Sequence, residues 1–156
     1  MNAISNSEFV EIYERNLKTV YQVCFMYLKN KHDTEDAVQN TFLKLYKKNI
    51  VFENKEHEKA WLIVTASNIC KNDLKYWFKK HVSSLIDDVG HHQQEDRVLK
   101  HILKMDDKYK LIFYLYYYQG YKTKEISKIL SINESTIRSH IHRGRDYLKK
   151  SLKEDL

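Results

Sequence analysis

A chain of 156 residues has room for one ordinary domain or two small ones, and a make-up of 42% hydrophobic and 31% charged residues excludes a disordered polymer. No run of about 18 apolar residues occurs, which argues against a transmembrane helix, and the start MNAISNSEFVEIYERN lacks the basic region and apolar core of a secretory leader. The net charge of +6 is uneven: residues 1–80 hold 13 Lys and Arg against 10 Asp and Glu, residues 81–96 hold none against four, and residues 97–156 hold 14 against 7, so two basic blocks flank an acidic joint, as suits two contacts with a polyanion.

Three glycines, no proline and long apolar periodicities predict an all-α protein of two small helical domains joined by a short linker. The first helix is predicted over residues 7–29, capped by Ser7, with Phe9, Ile12, Tyr13, Leu17, Val20, Cys24 and Tyr27 on its apolar face. Asn30, Lys31 and His32 are expected to break it. Asp33 would cap a second helix through Ala37, Val38, Thr41, Phe42 and Leu45 to Lys48, acidic at its start and basic at its end as the helix dipole favours. Residues 49–57 read as a loop. A third helix is predicted from about Glu58 to Lys80, with Trp61, Ile63, Ile69, Cys70 and Leu74 facing the core. Its other face, with Asn68, Lys71, Asn72, Lys75, Tyr76, Lys79 and Lys80, mixes cations, amides and an aromatic ring, a set that can follow a phosphate backbone while engaging exposed bases; a merely solvated face reads equally well from this helix alone. Cys24 and Cys70 have no metal-ligand spacing and read as reduced core residues of a cytoplasmic protein.

Residues 82–93 are the predicted linker, between a domain at 1–81 and a second at 94–156. His91 and His92 have no third ligand at readable spacing, so no metal site is expected. A fourth helix is predicted over residues 94–105, and a fifth, capped by Asp106 or Asp107, runs to Gln119 and stops at Gly120. The tyrosines at 114, 116, 117 and 118 are expected to pack rather than to bind a ligand. Residues 123–150, TKEISKILSINESTIRSHIHRGRDYLKK, then read as a helix-turn-helix. Ile126, Ile129 and Leu130 share one face, Ile132 plugs the corner, and Asn133 caps the second helix. Ile137, Ile141, Leu148 and Leu152 line the buried stripe of that helix, with Gly144 admitting a close neighbour. Ser135, Thr136, Arg138, Ser139, His142, Arg143 and Lys149 are the groove-facing candidates. Arg138 is placed to fork onto a guanine, whereas Arg143, Arg145, Lys149 and Lys150 suit phosphates. No phosphate-cradling glycine loop, metal-ligand cluster or nucleophile–base pair is readable, so no catalytic residue and no cofactor are expected.

Three segments in this order resemble a known family. DTEDAVQNTFLKLYKK (33–48), KAWLIVTASNICKNDL (59–74) and the stretch 108–150 are similar to segments of bacterial RNA polymerase sigma factors of the extracytoplasmic-function subfamily, a resemblance spanning nearly all of residues 8–153. It implies a protein that recruits core RNA polymerase to promoters and melts the −10 element by capturing extruded bases, without hydrolysis. By the resemblance, Asp36, Gln39, Asn40, Phe42 and Leu43 would meet the clamp helices of the largest polymerase subunit. Asn68, Lys71, Asn72 and Lys75 would take the non-template strand at −10, beside a pocket shaped by residues 49–57, and the recognition-helix set would read −35. Promoter DNA, core polymerase and, as is common in the subfamily, an anti-sigma factor are the implied partners. Asn40 stands where glutamate is usual, Ser127 where alanine is, Ser131 where the turn glycine is, and Met105-Asp106 where Leu-Pro is common. The competing reading is a helix-turn-helix regulator with an N-terminal sensor or dimerisation domain, which would show a ligand pocket or a dimer seam.

Overall fold

The computed structural model describes residues 4–80, with 76–80 by backbone alone, and residues 101–154. The chain divides into two compact units, Met1–Asp87 and Asp88–Leu156. The predicted linker at 82–93, and the predicted fourth helix before residue 101, lie outside the described residues.

Among its described residues the first unit has three helices: α1 (Asn6–Leu28), α2 (Lys31–Lys48) and α3 (Lys55–Lys80). Their starts fall earlier than the apolar pattern implies, because the caps lie outside it. Ser5 rather than Ser7 caps α1, forming a reciprocal capping box with Glu8. Asn30, predicted as a breaker, is the cap of α2 and accepts from the Asp33 N–H at 2.8 Å. Asn54 accepts from the His57 N–H at 2.8 Å, so α3 begins at Lys55 and the connecting loop is shorter than 49–57. All three helices pack on one another, burying Val20, Val23 and Cys24 against Ala37, Leu45, Leu62, Ile63, Ala66 and Cys70. The two thiols meet in this core. Contact with Cys24 and burial push the Cys70 thiol far up, so it stays protonated.

An ionic lock ties α3 to α1. Glu58 is 4% exposed, and its two oxygens accept from Arg15 Nε and Nη2, each at 2.7 Å. The side chain of Asn16, also buried, adds a third donor at 2.7 Å and a bond to the Ile12 carbonyl. A carboxylate can be buried here because its lone pairs are filled by charged or amide donors.

In the second unit, residues 101–103 are helical, followed by α4 (Asp107–Tyr117), α5 (Thr123–Leu130) and α6 (Glu134–Glu154). Asp106 occupies the cap position of α4 but its side chain makes no capping bond. Gly120, at φ +72, turns the chain back from α4. The Tyr121 N–H returns to the Leu115 carbonyl at 3.0 Å. α6 packs on both α4 and α5. At its Gly144, α4 and the preceding segment come close: a Cβ there would lie 2.9 Å from Met105 Cε and 3.1 Å from Phe113 Cδ2. Between α5 and α6, Ser131 adopts the left-handed conformation at φ 55, and the Ser127 hydroxyl donates to the Ile132 carbonyl across the corner. The two serines that depart from the family pattern thus both act at the turn, one strained and one bonding across it.

Candidate nucleic-acid interface

On α3 the spacing 68, 71, 72 and 75 places four side chains along one face, and Asn68, Lys71, Asn72 and Lys75 are all exposed. The Lys71 ammonium reaches back over the Tyr27 ring, 6.0 Å from its centroid. Trp61 lies two turns before Asn68 on the same face and is half-buried. Phe52 of the connecting loop leans on it, with ring centroids 5.9 Å apart, and is met edge-on by His57 at 5.4 Å. The loop therefore walls the early end of the polar stripe with an aromatic group. The side chains of Tyr76 and Lys79, also assigned to this stripe, lie outside the described residues.

α2 presents a different chemistry. Asp36, Gln39, Asn40 and Leu43 are exposed along one face, Leu43 by 51%. Phe42 departs from the expectation that it faces a partner. It is 3% exposed, because its position falls on the inner face of α2, where it meets Tyr13 at 4.7 Å and Phe9 at 6.5 Å. Phe42 supports the face from beneath. Near the start of α2 the surface is anionic: burial, then the charges of Asp33 and Asp36, raise the Asp73 carboxyl above its ordinary value.

On α6, Ser135, Arg138, Ser139, His142 and Lys149 follow one exposed face, with Thr136 and Arg143 further round the helix. Asn133 accepts from the Ser135 N–H at 3.2 Å, the predicted cap. Before any ligand arrives, several of these groups are held by neighbours. Arg138 pairs with Glu134 at 3.2 Å, and Thr123 donates to the same carboxylate at 3.0 Å, linking the starts of α5 and α6. His142 lies 3.4 Å from Asp146. The Arg145 guanidinium donates from Nε and Nη2 to the Tyr117 hydroxyl of α4. The tyrosines divide. Tyr114 is buried, its hydroxyl pushed up to about 12 by that burial and bonded by Gln119 at 2.8 Å, while Tyr117 and Tyr118 are 44% and 55% exposed.

Sequence reasoning missed the Arg15–Asn16–Glu58 lock. Arg15 falls among exposed charges and Glu58 reads as an ordinary first-turn acid, so only the fold brings them together. It also passed over Leu62 and Ala66, both fully buried on the inner face of α3.

A helix-turn-helix unit with a cation-bearing second helix, on one chain with a three-helix unit whose α3 exposes lysines and amides, defines a helical DNA-binding protein of transcription. Residues 12–77 match the family described as Sigma-70 region 2, and residues 95–148 that described as Sigma-70, region 4. The chain is 27% identical to the ECF RNA polymerase sigma factor SigW of Bacillus subtilis (strain 168), covering 95% of this chain and 89% of that protein. It is 29% identical to SigM of the same organism, covering 89% and 91%. Its fold is similar to that of the sigma factor RpoE from Bartonella quintana, solved with the anti-sigma factor NepR: TM-score 0.80, 20% identity, 96% of this chain and 99% of that one. It is also similar to CnrH, solved with the cytosolic domain of CnrY: TM-score 0.72, 18% identity, 97% and 92% covered. The chain belongs to the extracytoplasmic-function sigma factors, and it acts as an alternative sigma factor in promoter-specific transcription initiation by RNA polymerase. The match of its first half to region 2 does not favour a sensor or dimerisation domain at that position.

Proposed function

We propose that α2 seats the chain on the clamp helices of the largest polymerase subunit through Asp36, Gln39, Asn40 and Leu43, with Phe42 as their internal support. α3 then receives the non-template strand of the −10 element: Asn68 contacts an extruded base, and Lys71, Asn72 and Lys75 follow the backbone, continued by Tyr76 and Lys79. The recognition helix reads −35 through Ser135, Thr136, Arg138, Ser139 and His142, with Arg143 and Lys149 on phosphates. Arg138 exchanges its exposed bond to Glu134 for a base edge, a small loss because exposed pairs contribute about 0–1 kcal/mol. Opening of the duplex needs no catalysis by this chain, since binding flipped bases offsets the cost of unstacking them. The protein works in the cytoplasm, where the polymerase is; among the described residues no helix is long and apolar enough to cross a membrane. The solved complexes of RpoE with NepR and of CnrH with CnrY support an anti-sigma factor as a further partner.

The observation that carries this reading is that one helical core exposes two unlike faces, one on α2 with a carboxylate, two amides and a leucine and no cation, the other on α3 with lysines and amides. The test is reconstitution with core polymerase lacking other sigma factors, followed by mapping of transcript starts. Initiation at defined promoters is expected, and Asn68→Ala is expected to impair −10 recognition while leaving affinity for polymerase intact. Initiation as random as that of core enzyme alone would overturn the reading.

A further inference from the structure

We propose that Lys108 and Tyr109 of α4 join Arg143 of the recognition helix in one phosphate site, which takes a backbone phosphodiester of the duplex beside the groove-facing residues. The proposal rests on the reading of α6 as the −35 recognition helix, and it adds a second element to that contact.

Along α6, residues 136, 140 and 143 run on a face adjacent to the one carrying 135, 139 and 142. At this flank the first turn of α4 arrives. The Tyr109 ring meets the His140 ring edge-on, with centroids 5.0 Å apart, and the Lys108 ammonium sits 5.1 Å from the Tyr109 centroid. The Arg143 guanidinium lies beside the Tyr109 hydroxyl and, with Lys108, lowers its pKa. Burial first, then the charges of Lys108 and Arg143, hold His140 below its usual value, and its shielded Nδ1 has no hydrogen-bond partner among the described residues. His140 therefore adds no third charge near neutral pH.

Three other side chains of α6 already have partners. Arg138 has Glu134, His142 has Asp146 and Arg145 has Tyr117. Among the described residues neither Arg143 nor Lys108 has a carboxylate within salt-bridge distance. Lys108 also occupies the second position of α4, where the helix dipole disfavours a cation and favours an anion. An ammonium, a guanidinium and a phenol O–H, gathered from two elements with no acceptor charge between them, suit a phosphodiester oxygen pair. A duplex is the favoured source because the site adjoins the recognition helix, whose neighbours in a groove are phosphates. An acidic peptide is the competing occupant.

The experiment measures promoter binding by holoenzyme made with full-length chain, across a salt series, for wild type, Lys108→Gln, Tyr109→Phe and the charge-matched control Lys18→Gln. Lys108→Gln is expected to weaken binding by the same factor on promoters with matched and scrambled −35 elements. It is also expected to flatten the slope of log K against log salt by about 0.9, the signature of one phosphate contact. Tyr109→Phe should weaken binding less, and Lys18→Gln should change neither quantity. Neutral methylphosphonate placed singly along the −35 backbone should reveal one position that weakens wild type and not Lys108→Gln. An unchanged slope with no such position, a loss confined to one −35 sequence, or a loss seen only in DNA-free binding to a protein partner would each overturn the proposal. Transcription by the wild-type holoenzyme, run in parallel, separates this outcome from the sigma reading. The salt slope of free chain on any duplex at low salt tests the phosphate site even where that reading falls.

Discussion

Glu58 shows how much one residue can decide. In the sequence it is one of several acids at the start of a helix, where a negative charge suits the dipole. In the fold it is buried, with Arg15 and Asn16 filling its oxygens. Because Glu58 lies just after the loop that carries Phe52, this lock holds the early end of α3, where the exposed polar stripe begins. Arg15→Ala removes two of the three donors and leaves the carboxylate buried. It is expected to lower stability by about 1.5–3 kcal/mol in urea unfolding, since hydrogen bonds to charged groups are worth that much and the half-exposed guanidinium itself is easily rehydrated. A midpoint equal to that of wild type would mean that water replaces the arginine at no cost.

At the scale of elements, the apolar periodicity reads the helices well and their starts poorly. The stripe of α6 is buried as its pattern predicts at Ile137, Ile141 and Leu148, and Gly144 meets Met105 and Phe113. The start of α1 falls one residue early, and those of α2 and α3 a few residues early, because Ser5, Asn30 and Asn54 act on backbone N–H groups outside the apolar repeat. Phe42 illustrates a further limit: its type and the family pattern point to a partner, but its register on α2 points to the core. The turn between α5 and α6 carries a cost. Ser131 holds φ 55, a conformation about 1–2 kcal/mol unfavourable for a residue with a Cβ, which glycine would adopt freely at a chain-entropy cost of about 0.5–1 kcal/mol. Ser131→Gly is therefore expected to raise stability by about 0.5–1 kcal/mol, read from thermal or urea unfolding, with −35 binding unchanged. A loss of stability would show that the serine makes a contact that repays its strain.

At the scale of the whole molecule, two modest binding units on one chain gain affinity from effective concentration only when their targets stand at a reachable spacing. In the proposed reading the polymerase supplies that spacing. Free chain is then expected to bind promoter fragments weakly and with steep salt dependence, and addition of core polymerase should raise promoter affinity by roughly two to four orders of magnitude. Electrophoretic or fluorescence titration with and without core polymerase checks this. Equal affinity in both would mean that the two units need no external scaffold.

The order of residues by itself determined the all-helical class, the two basic blocks and the helix-turn-helix, because periodicity, caps and charge runs are local properties that a linear reading captures. It also pointed to Asn68, Lys71, Asn72 and Lys75, whose spacing alone sets them on one helical face. Tertiary structure decided the rest. It buried Glu58 on Arg15, tied Arg145 to Tyr117, and brought Lys108 and Tyr109 beside Arg143. Each of these joins residues on different helices, and the energy of such a contact depends on how the helices pack, which no local pattern encodes.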